Sequence, residues 1–169
     1  MKWMIAADIH GFPSCLSAMF EAFEREKADR IVLLGDLGGL GGESVERLYR
    51  EHRDETLAVR GNCDPFAARV RFGFPMPEYQ TFAAFGKTFL CTHGHLYDET
   101  FLPDGEKPDV LLLGHTHVPR CEKVREILCC NPGSVSLPRG GSKQSYMTLE
   151  DGLLLWKELD GAEFGRYEL

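Results

Sequence analysis

The sequence lacks long apolar runs, clusters of basic residues and paired-cysteine motifs. No apolar run approaches the roughly 20 residues that a transmembrane helix needs, so a membrane protein is not expected. Nineteen Lys and Arg stand against 26 Asp and Glu, which gives a net charge of −7. Because no basic stripe is present to hold phosphates, binding of a nucleic acid polymer is not expected either.

The first residues, MKWMIAADIHG, lack the long apolar segment and the small-residue cleavage site of a secretory signal peptide. The six cysteines have no C-x-x-C spacing, and four of them lie in apolar surroundings typical of a core. Disulfides are therefore disfavoured, and the expected location is cytoplasmic.

Size and composition predict one soluble domain over residues 1–169. A chain of 169 residues, 43% of them hydrophobic, is long enough to bury about 70% of the surface that its unfolded form would expose. We find no internal repeat, low-complexity tract or linker that would divide it.

Residue periodicity predicts alternating strands and helices in the first half and mostly strands in the second. Helices are expected at 14–27 and 43–53, with a glycine-rich loop, GDLGGLGG, at 35–42. Strands are expected at 2–7, 30–34, 56–59, 79–85, 87–91, 110–113, 121–124, 127–130, 145–149 and 153–158. Two sheets, partly parallel and partly antiparallel, with helices outside would accommodate this order.

Five of the apolar runs end in turns that carry potential ligands. Ligands in open α/β sheets gather outside the carboxyl ends of the strands, so all five turns are expected at one rim. The residues in these turns are Asp8, His10, Asp36, Asn62, His93, His95, His115 and His117.

The spacing and the residue types in these turns favour metal binding. Asp8 and His10 are two residues apart, as are His115 and His117, which places each pair on one side of extended backbone. Nitrogen and oxygen donors suit Mn²⁺, Fe or Zn²⁺ without a thiolate. Seven ligands are too many for one ion with an open position, so we predict two ions that share a carboxylate, best supplied by Asp36.

Taken in order, the motifs resemble those of the calcineurin-like metallophosphoesterase superfamily. They are Asp8-x-His10, Gly35-Asp36, Gly61-Asn62-Cys63-Asp64, His93 of T-H-G-H, and Gly114-His115-Thr116-His117. Within this superfamily the chain is most similar to the small bacterial and archaeal phosphodiesterases of the YfcE type, also in the segment Asn131 to Ser136. The resemblance spans nearly the whole chain.

The resemblance implies a four-layer α/β/β/α sandwich of two mixed β-sheets flanked by helices, with a two-metal centre on its rim. It assigns Asp8, His10, Asp36 and His117 to one ion, and Asp36, Asn62, His93 and His115 to the other. It implies Mn²⁺ as the usual metal, although Fe, Zn²⁺, Ni²⁺ or Co²⁺ could occupy the same ligands.

Our first hypothesis is a metal-dependent phosphodiesterase acting on a small phosphodiester through a metal-activated water or hydroxide. Many superfamily members have His after the Gly-Asn pair, where this chain has Cys63. The proton for the leaving group would then come from water or from His95. An acidic leaving group would need no proton at all. This favours activated aryl diesters over unactivated alkyl monoesters.

Two alternatives stay open at this point. One is a non-catalytic interaction scaffold on the same fold, like the small retromer subunit, in which several ligand positions are altered, whereas all seven are intact here. The other makes Cys63 or Cys91 a nucleophile with His93 or His95 as its base.

The expected catalytic residues are Asp36, Asn62 and His95, and the expected substrate contacts are Arg60, Cys63 and Asp64. Arg60 and Arg139 could contact phosphate or form surface ion pairs, and Asp64 could instead hold its turn. His52 is expected to be solvated. The aromatic residues Phe12, Tyr97 and Phe101 could border a substrate cleft, belong to the core or form a subunit contact, so a homodimer or homotetramer is plausible.

Overall fold

A computed structural model describes residues 1–38 and 42–169. In chain order its elements are β1 (Trp3–Ala6), α1 (Pro13–Glu26), β2 (Arg30–Leu33), α2 (Gly42–Glu51), β3 (Thr56–Ala58), α3 (Ala68–Phe72), β4 (Tyr79–Ala84), β5 (Lys87–Thr92), β6 (Val110–Leu112), β7 (Arg120–Val124), β8 (Ile127–Asn131), β9 (Ser145–Glu150), β10 (Leu153–Glu158) and β11 (Glu163–Glu168). A short 3-10 helix, Arg53–Glu55, lies between α2 and β3.

The strands form two mixed sheets. The six-stranded sheet has the order β11-β10-β9-β1-β2-β3, and the five-stranded sheet has the order β4-β5-β6-β8-β7. β1, β2 and β3 are parallel, as are β5, β6 and β8. Antiparallel pairs join β9, β10 and β11 to β1 in the first sheet, and join β4 to β5 and β7 to β8 in the second. The predicted α/β class with two mixed sheets is confirmed.

Alternate side chains of the central strands supply two separate cores. In β1, Met4 and Ala6 pack under the helices, whereas Ile5 faces the second sheet. Burial on both faces explains why these strands are continuously apolar. Each fully buried Leu, Ile or Phe contributes about 1.5–3 kcal/mol relative to an exposed one.

The outer faces of the two sheets are covered differently. The helices pack on the six-stranded sheet, where α1 and α2 bury Phe20, Phe23, Val45 and Tyr49. On the five-stranded sheet a smaller core of Leu90, Leu111, Leu113 and Cys129 is joined by Leu102, which lies in the loop after β5. Residues 93–109, all of them described, contain no helix.

Two elements were missing from the expectation. The helix α3 has only five residues, too few to display a helical period. The edge strand β11 pairs with β10 through a register shift at Trp156 and Lys157, and its sequence, EFGRYE, lacks apolar alternation. Of the predicted glycine-rich loop, residues 39–41 lie outside the described part of the chain.

The cysteines follow the expected pattern. Cys91, Cys129 and Cys130 are buried, Cys15 packs against the first core, and all six cysteines are free thiols. No helix among the described residues has both the length and the apolar character needed to cross a membrane.

Candidate metal centre

Five turns at the carboxyl ends of strands meet at one edge of the molecule. Backbone hydrogen bonds join two pairs of these turns directly. The amide N–H groups of Ile9 and His10 donate to the Asp36 carbonyl (3.0 and 2.8 Å), and Gly114 N–H donates to the His93 carbonyl (3.0 Å). The turns that follow β1, β2, β3, β5 and β6 thus bring together Asp8, His10, Asp36, Asn62, His93, His115 and His117.

Five of these residues adopt a left-handed backbone. The φ angles of Asp8, His10, Asp36, His115 and His117 lie between 51° and 67°. Non-glycine residues in sparsely populated backbone regions cost of order 1–3 kcal/mol each and concentrate at functional sites. The surrounding contacts therefore hold these side chains in directions that the local sequence would not choose alone.

Gly61 permits the close approach of two turns. A Cβ at this position would lie 2.2 Å from both the backbone nitrogen and Oδ1 of Asp36. Without that atom, the Cys63 N–H reaches Oδ1 of Asp36 and donates a hydrogen bond of 2.7 Å. The glycine is required for packing the third turn against the second.

Asp8, His10 and His117 form the first group of potential ligands, with ligand atoms within 4.8 Å of one another. Nε2 of His117 lies 3.4 Å from Oδ1 of Asp8 and 3.4 Å from Nε2 of His10. The Asp8 side chain is fully buried, yet its Oδ1 accepts no hydrogen bond from the described residues. Such a buried carboxylate oxygen is costly unless a cation or donor satisfies it.

Asp36, Asn62 and His93 form a second group beside the first. Nε2 of His93 lies 3.4 Å from Oδ2 of Asp36 and 3.0 Å from Oδ1 of Asn62. The same Asp36 oxygen lies 3.8 Å from Nε2 of His10. Oδ2 of Asp36 therefore stands between the two groups.

His115 and His95 lie at the margin of the second group. The ring of His115 is 5.1 Å from that of His93 between centroids, and its backbone N–H donates to Oδ2 of Asp8 at 3.1 Å. The ring of His95 is 5.3 Å from that of His93, and its buried Nδ1 has no hydrogen-bond partner in the described chain. The exposed His115 is thus near the centre without belonging to a tight ligand group.

Backbone carbonyls orient two of the buried imidazoles. Nδ1 of His93 donates to the Leu34 carbonyl and Nδ1 of His117 donates to the Leu137 carbonyl, each at 2.7 Å. With Nδ1 committed to a carbonyl, Nε2 is the nitrogen that a metal would bind in place of a proton, and in both rings Nε2 faces the carboxylates. This is the arrangement that metal-ligating histidines usually have.

The segment Asn131 to Ser136 supports the first and fifth turns. The hydroxyls of Ser134 and Ser136 both donate to the Asp8 carbonyl at 2.8 Å, and Asn131 Nδ2 donates to the Gly114 carbonyl at 2.7 Å. The sequence resemblance includes this segment but predicts no contact for its residues. Their only sequence signal is the clustering of small hydrogen-bonding residues after β8.

Asp64 holds the third turn in place. It is buried, with Oδ2 accepting the N–H of Gly61 at 2.9 Å and Oδ1 accepting the N–H groups of Leu37 and Gly38 at 2.8 and 3.1 Å. Both oxygens are therefore occupied by backbone donors. These contacts correspond to the turn-holding alternative and leave no free oxygen for the predicted substrate contact.

The two buried aspartates have opposite proton affinities. Burial raises the pKa of Asp8 to about 7, against the opposing charge of His93. Burial would also raise the pKa of Asp36, but the hydrogen bond and charge of His93 hold it well below its usual range. In turn, Asp36 raises the pKa of His93 despite its burial. Without a bound metal, the surroundings thus favour the ionised form of Asp36 and disfavour that of Asp8.

These observations fit a divalent metal better than a self-contained polar network. Oδ1 of Asp8 has no hydrogen-bond partner among the described residues, and Nε2 of His117 lies 3.4 Å from it. Oδ2 of Asp36 faces Nε2 of His10 and of His93. Nitrogen and oxygen donors of this kind suit Mn²⁺, Fe or Zn²⁺. The residues present therefore fit the predicted metal.

The basic residues near the centre have different surroundings. Arg60 forms an ion pair with Glu78, which is the alternative to phosphate contact. Arg139 is exposed, makes no ion pair within the described chain and acts electrostatically on Asp8 and His117. The prediction that His52 is solvated is wrong, because its ring is half-buried and stacks on Phe20 at 4.0 Å.

The three aromatic residues singled out in the sequence differ in their exposure. Phe12 and Phe101 are 46% and 63% exposed, while Tyr97 is half-buried and stacks on Phe101 with centroids 5.9 Å apart. None of the three belongs to the described core, which leaves the cleft border and the subunit contact as their predicted roles.

The fold and this cluster of ligands define a metal-dependent hydrolase of phosphate esters. A model of the calcineurin-like phosphoesterase superfamily domain matches residues 1–151. The chain belongs to this superfamily, and the prediction of an enzyme of this class is confirmed.

Three relatives illustrate the range of similarity. Phosphodiesterase YfcE of Escherichia coli (strain K12) is 38% identical over 166 residues, which cover 91% of this chain and 90% of that protein. Its solved structure superposes with a TM-score of 0.91 at 34% identity over 99% of each chain. Probable metallophosphoesterase YsnB of Bacillus subtilis (strain 168) is 30% identical, with 89% of this chain and 86% of that protein covered.

The third relative is similar in fold alone. Vps29 of Entamoeba histolytica, solved in complex with Zn²⁺, superposes with a TM-score of 0.66 at 19% identity, covering 99% of each chain.

Proposed function

We propose that this chain, as one domain over residues 1–169, is a phosphodiesterase with a dinuclear metal centre. The observation that carries the proposal is the position of Oδ2 of Asp36, 3.8 Å from Nε2 of His10 and 3.4 Å from Nε2 of His93. A carboxylate between two sets of nitrogen donors suits a shared ligand. The proposed sets are Asp8, His10, Asp36 and His117 for one ion, and Asp36, Asn62, His93 and His115 for the other.

Two divalent ions, with Mn²⁺ proposed, would bind the phosphate oxygens, lower the pKa of a water and stabilise the attacking and leaving oxygens. The chain itself positions the ligands through the hydrogen bonds from Nδ1 of His93 and of His117 to backbone carbonyls. Arg139, exposed and charged beside Asp8 and His117, is the proposed phosphate contact. Arg60 is less suited to that task because Glu78 already neutralises it.

Among the described residues, the site has no side chain well suited to protonate the leaving group. Burial and the charge of His93 lower the pKa of His95, so its imidazole is neutral near pH 7 and a poor proton donor. Burial and Asp36 raise the pKa of the Cys63 thiol to about 11. With neither group suited as a general acid, a diester with an acidic leaving group is the proposed substrate class.

The same values argue against a cysteine nucleophile. A nucleophilic cysteine reacts as thiolate, and its pKa is normally lowered by neighbouring positive charge. Here burial raises the pKa of Cys91 far above its ordinary value, and that of Cys63 is raised as well.

The test is an assay of the Mn²⁺-loaded protein on bis(4-nitrophenyl) phosphate and on glycerol phosphate, an alkyl monoester. We expect kcat/KM to be at least about a hundredfold higher for the aryl diester, since the alkyl leaving group needs the missing proton. Equal values for the two substrates would contradict the proposal.

The similarity to Vps29 favours a second candidate, a non-catalytic scaffold. Because that protein was solved with Zn²⁺, metal content alone does not separate a scaffold from an enzyme. Turnover does: a protein that binds Mn²⁺ tightly but hydrolyses no phosphate ester would be a scaffold.

Assembly and location complete the proposal. The exposed Phe12 and Phe101 suit a contact between copies of the chain, so we include a homodimer or homotetramer. The six free thiols suit a reducing compartment such as the cytoplasm.

A further inference from the structure

A pocket of about 280 Å³ opens beside the turn that carries Asn62 and Cys63. Its walls include Arg60, Pro65, Phe66, Arg69, Met76 and Glu78. A volume near 300 Å³ is at the small end of ligand-binding pockets and suits one ring system better than a polypeptide segment.

Residues that line the pocket neighbour the turns of the candidate metal centre in sequence and in space. Pro65 and Phe66 directly follow Asp64, whose carboxylate is fixed by backbone donors of the second and third turns. Two further lining residues, Glu78 and Arg60, both act electrostatically on His95, whose ring lies 5.3 Å from that of His93. A molecule held at the ligands could therefore extend into the pocket.

Phe66 gives the pocket its chemical character. Its side chain is 71% exposed, and the guanidinium carbons of Arg60 and Arg69 lie 5.8 and 5.2 Å from its ring centroid. An exposed phenyl ring with guanidinium groups at cation–π distance is a surface on which planar aromatic groups stack. The core does not need this ring, because it belongs to none of the three buried clusters.

The local charge also suits a phosphate ester. The whole chain carries a net charge of −7, whereas two arginines and one glutamate line the pocket. The ion pair between Arg60 and Glu78 leaves the positive charge of Arg69 at the rim. A local positive charge on an acidic protein favours an anionic ligand at this place.

We propose that this pocket binds a planar aromatic ester group of the substrate while its phosphate lies at the metal centre, with Phe66 as the specificity-determining residue. The proposal rests on the proposed phosphodiesterase function and narrows it to diesters that carry an aromatic group. An aryl group and a nucleobase share the required chemistry.

The test measures binding, by calorimetry, of two ligands with the same charged head to the Mn²⁺-loaded protein. Phenylphosphonate carries an aromatic ring and methylphosphonate does not. We expect phenylphosphonate to bind about tenfold more tightly, in line with the strength of base–aromatic stacking. In Phe66→Ala the ratio should fall to within about twofold, with the affinity for methylphosphonate unchanged.

Two variants separate stacking from structure. Phe66→Tyr keeps the ring and should keep the preference for phenylphosphonate. Phe164→Ala removes another exposed phenyl ring, on β11, and should change neither affinity. Equal affinities in the unmodified protein, no binding of either phosphonate, or an equal loss of both affinities in Phe66→Ala would overturn the proposal.

A second pair of ligands distinguishes the two sources of the aromatic group. Adenosine 5′-monophosphate is compared with ribose 5-phosphate, and a preference that Phe66→Ala removes would point to a nucleobase. A preference confined to phenylphosphonate would point to a simple aryl group.

The binding readout is independent of turnover. If the protein prefers phenylphosphonate but hydrolyses no diester, the aromatic binding pocket is supported and the proposed phosphodiesterase function is contradicted. Diester hydrolysis without aromatic selectivity would support the phosphodiesterase and contradict the pocket.

Discussion

Two carboxylates with little exposed side-chain surface, Glu26 and Asp8, differ in whether the protein alone satisfies their charge. The Glu26 side chain is 8% exposed and accepts hydrogen bonds from Lys2, Lys157 and Tyr146 at 2.8, 2.7 and 2.8 Å. Burial alone would raise the pKa of Glu26, but these three partners lower it to about 2.

Asp8 has the opposite character. It is fully buried, one of its oxygens accepts no hydrogen bond from a described residue, and burial raises its pKa to about 7. The Glu26 cluster is complete without any ligand and joins α1 to β9 and β10. The centre around Asp8 is incomplete by itself, which is expected of a site that a cation completes.

The largest expected difference between the two regions is in catalysis. Asp36→Asn, which weakens the proposed shared ligand, should lower kcat/KM for bis(4-nitrophenyl) phosphate by at least about a thousandfold. Glu26→Gln should leave kcat/KM within about twofold while lowering the free energy of unfolding by about 1–3 kcal/mol. Steady-state kinetics and urea unfolding measure both effects. Equal loss of activity in the two variants would contradict the assignment of catalysis to the metal centre and of stability alone to the Glu26 cluster.

The effect of metal on thermal stability also separates the Asp8 site from the Glu26 cluster. After treatment with chelator, saturating Mn²⁺ should raise the Tm by about 5–10 °C, because the ion binds the folded state alone. Asp8→Asn should reduce this rise to about 2 °C or less, whereas Glu26→Gln should retain it in full. Differential scanning calorimetry of the three proteins provides the comparison. An unchanged rise in Asp8→Asn would argue against Asp8 as a ligand.

Stability should depend on pH in opposite directions at the two sites when metal is absent. The folded pKa of Asp8 is raised from 3.8 to about 7, so its ionised form disfavours folding and its contribution to stability falls as pH rises between these values. The folded pKa of Glu26 is lowered from 4.5 to about 2, so its contribution is complete above 4.5 and is lost as pH falls toward 2.

Urea unfolding of the chelated proteins at pH 5 and pH 8 measures this difference. Relative to the unmodified chain, Asp8→Asn should gain about 2–3 kcal/mol between pH 5 and pH 8. The deficit of Glu26→Gln should stay constant over the same range. A pH-independent effect of Asp8→Asn would mean that the carboxylate is not held at an unfavourable position.

The smallest effect is expected at Cys63. Cys63→Ser should keep kcat/KM within about threefold, since a thiol with a raised pKa carries no charge at pH 7 for the reaction to use. The backbone N–H of this residue, which donates to Asp36, is retained by serine. Complete loss of activity in this variant would revive the cysteine nucleophile.

Much of the fold was predictable because its signals are local. The central strands are short apolar runs, and α1 begins at Pro13 with buried residues at helical spacing. The edge strand β11 and the helix α3 were not predictable, because neither has a buried face of its own large enough to impose a period. His52 was misjudged since its partner, Phe20, lies on another helix.

The candidate site was predictable to a similar extent. The residue types and their place after apolar runs were visible in the chain, and the turns that carry them adjoin one another in the structure. Their assignment as metal ligands stays a prediction. The contacts that orient them come from far along the sequence, such as Ser134 and Ser136 on the Asp8 carbonyl. The ion pair of Arg60 and the backbone contacts of Asp64 also depend on distant partners.

The sequence by itself determined the alternation of strands and helices, the set of candidate ligands and the family resemblance. These follow from residue type and spacing, which act over a few neighbouring positions. Only the tertiary structure decided which oxygen of Asp36 faces two imidazoles, that Oδ1 of Asp8 lacks a hydrogen-bond partner among the described residues, and that the exposed Phe66 lies beside two arginines. Distances between atoms and the burial of charge arise when separate segments pack together, so local sequence does not specify them.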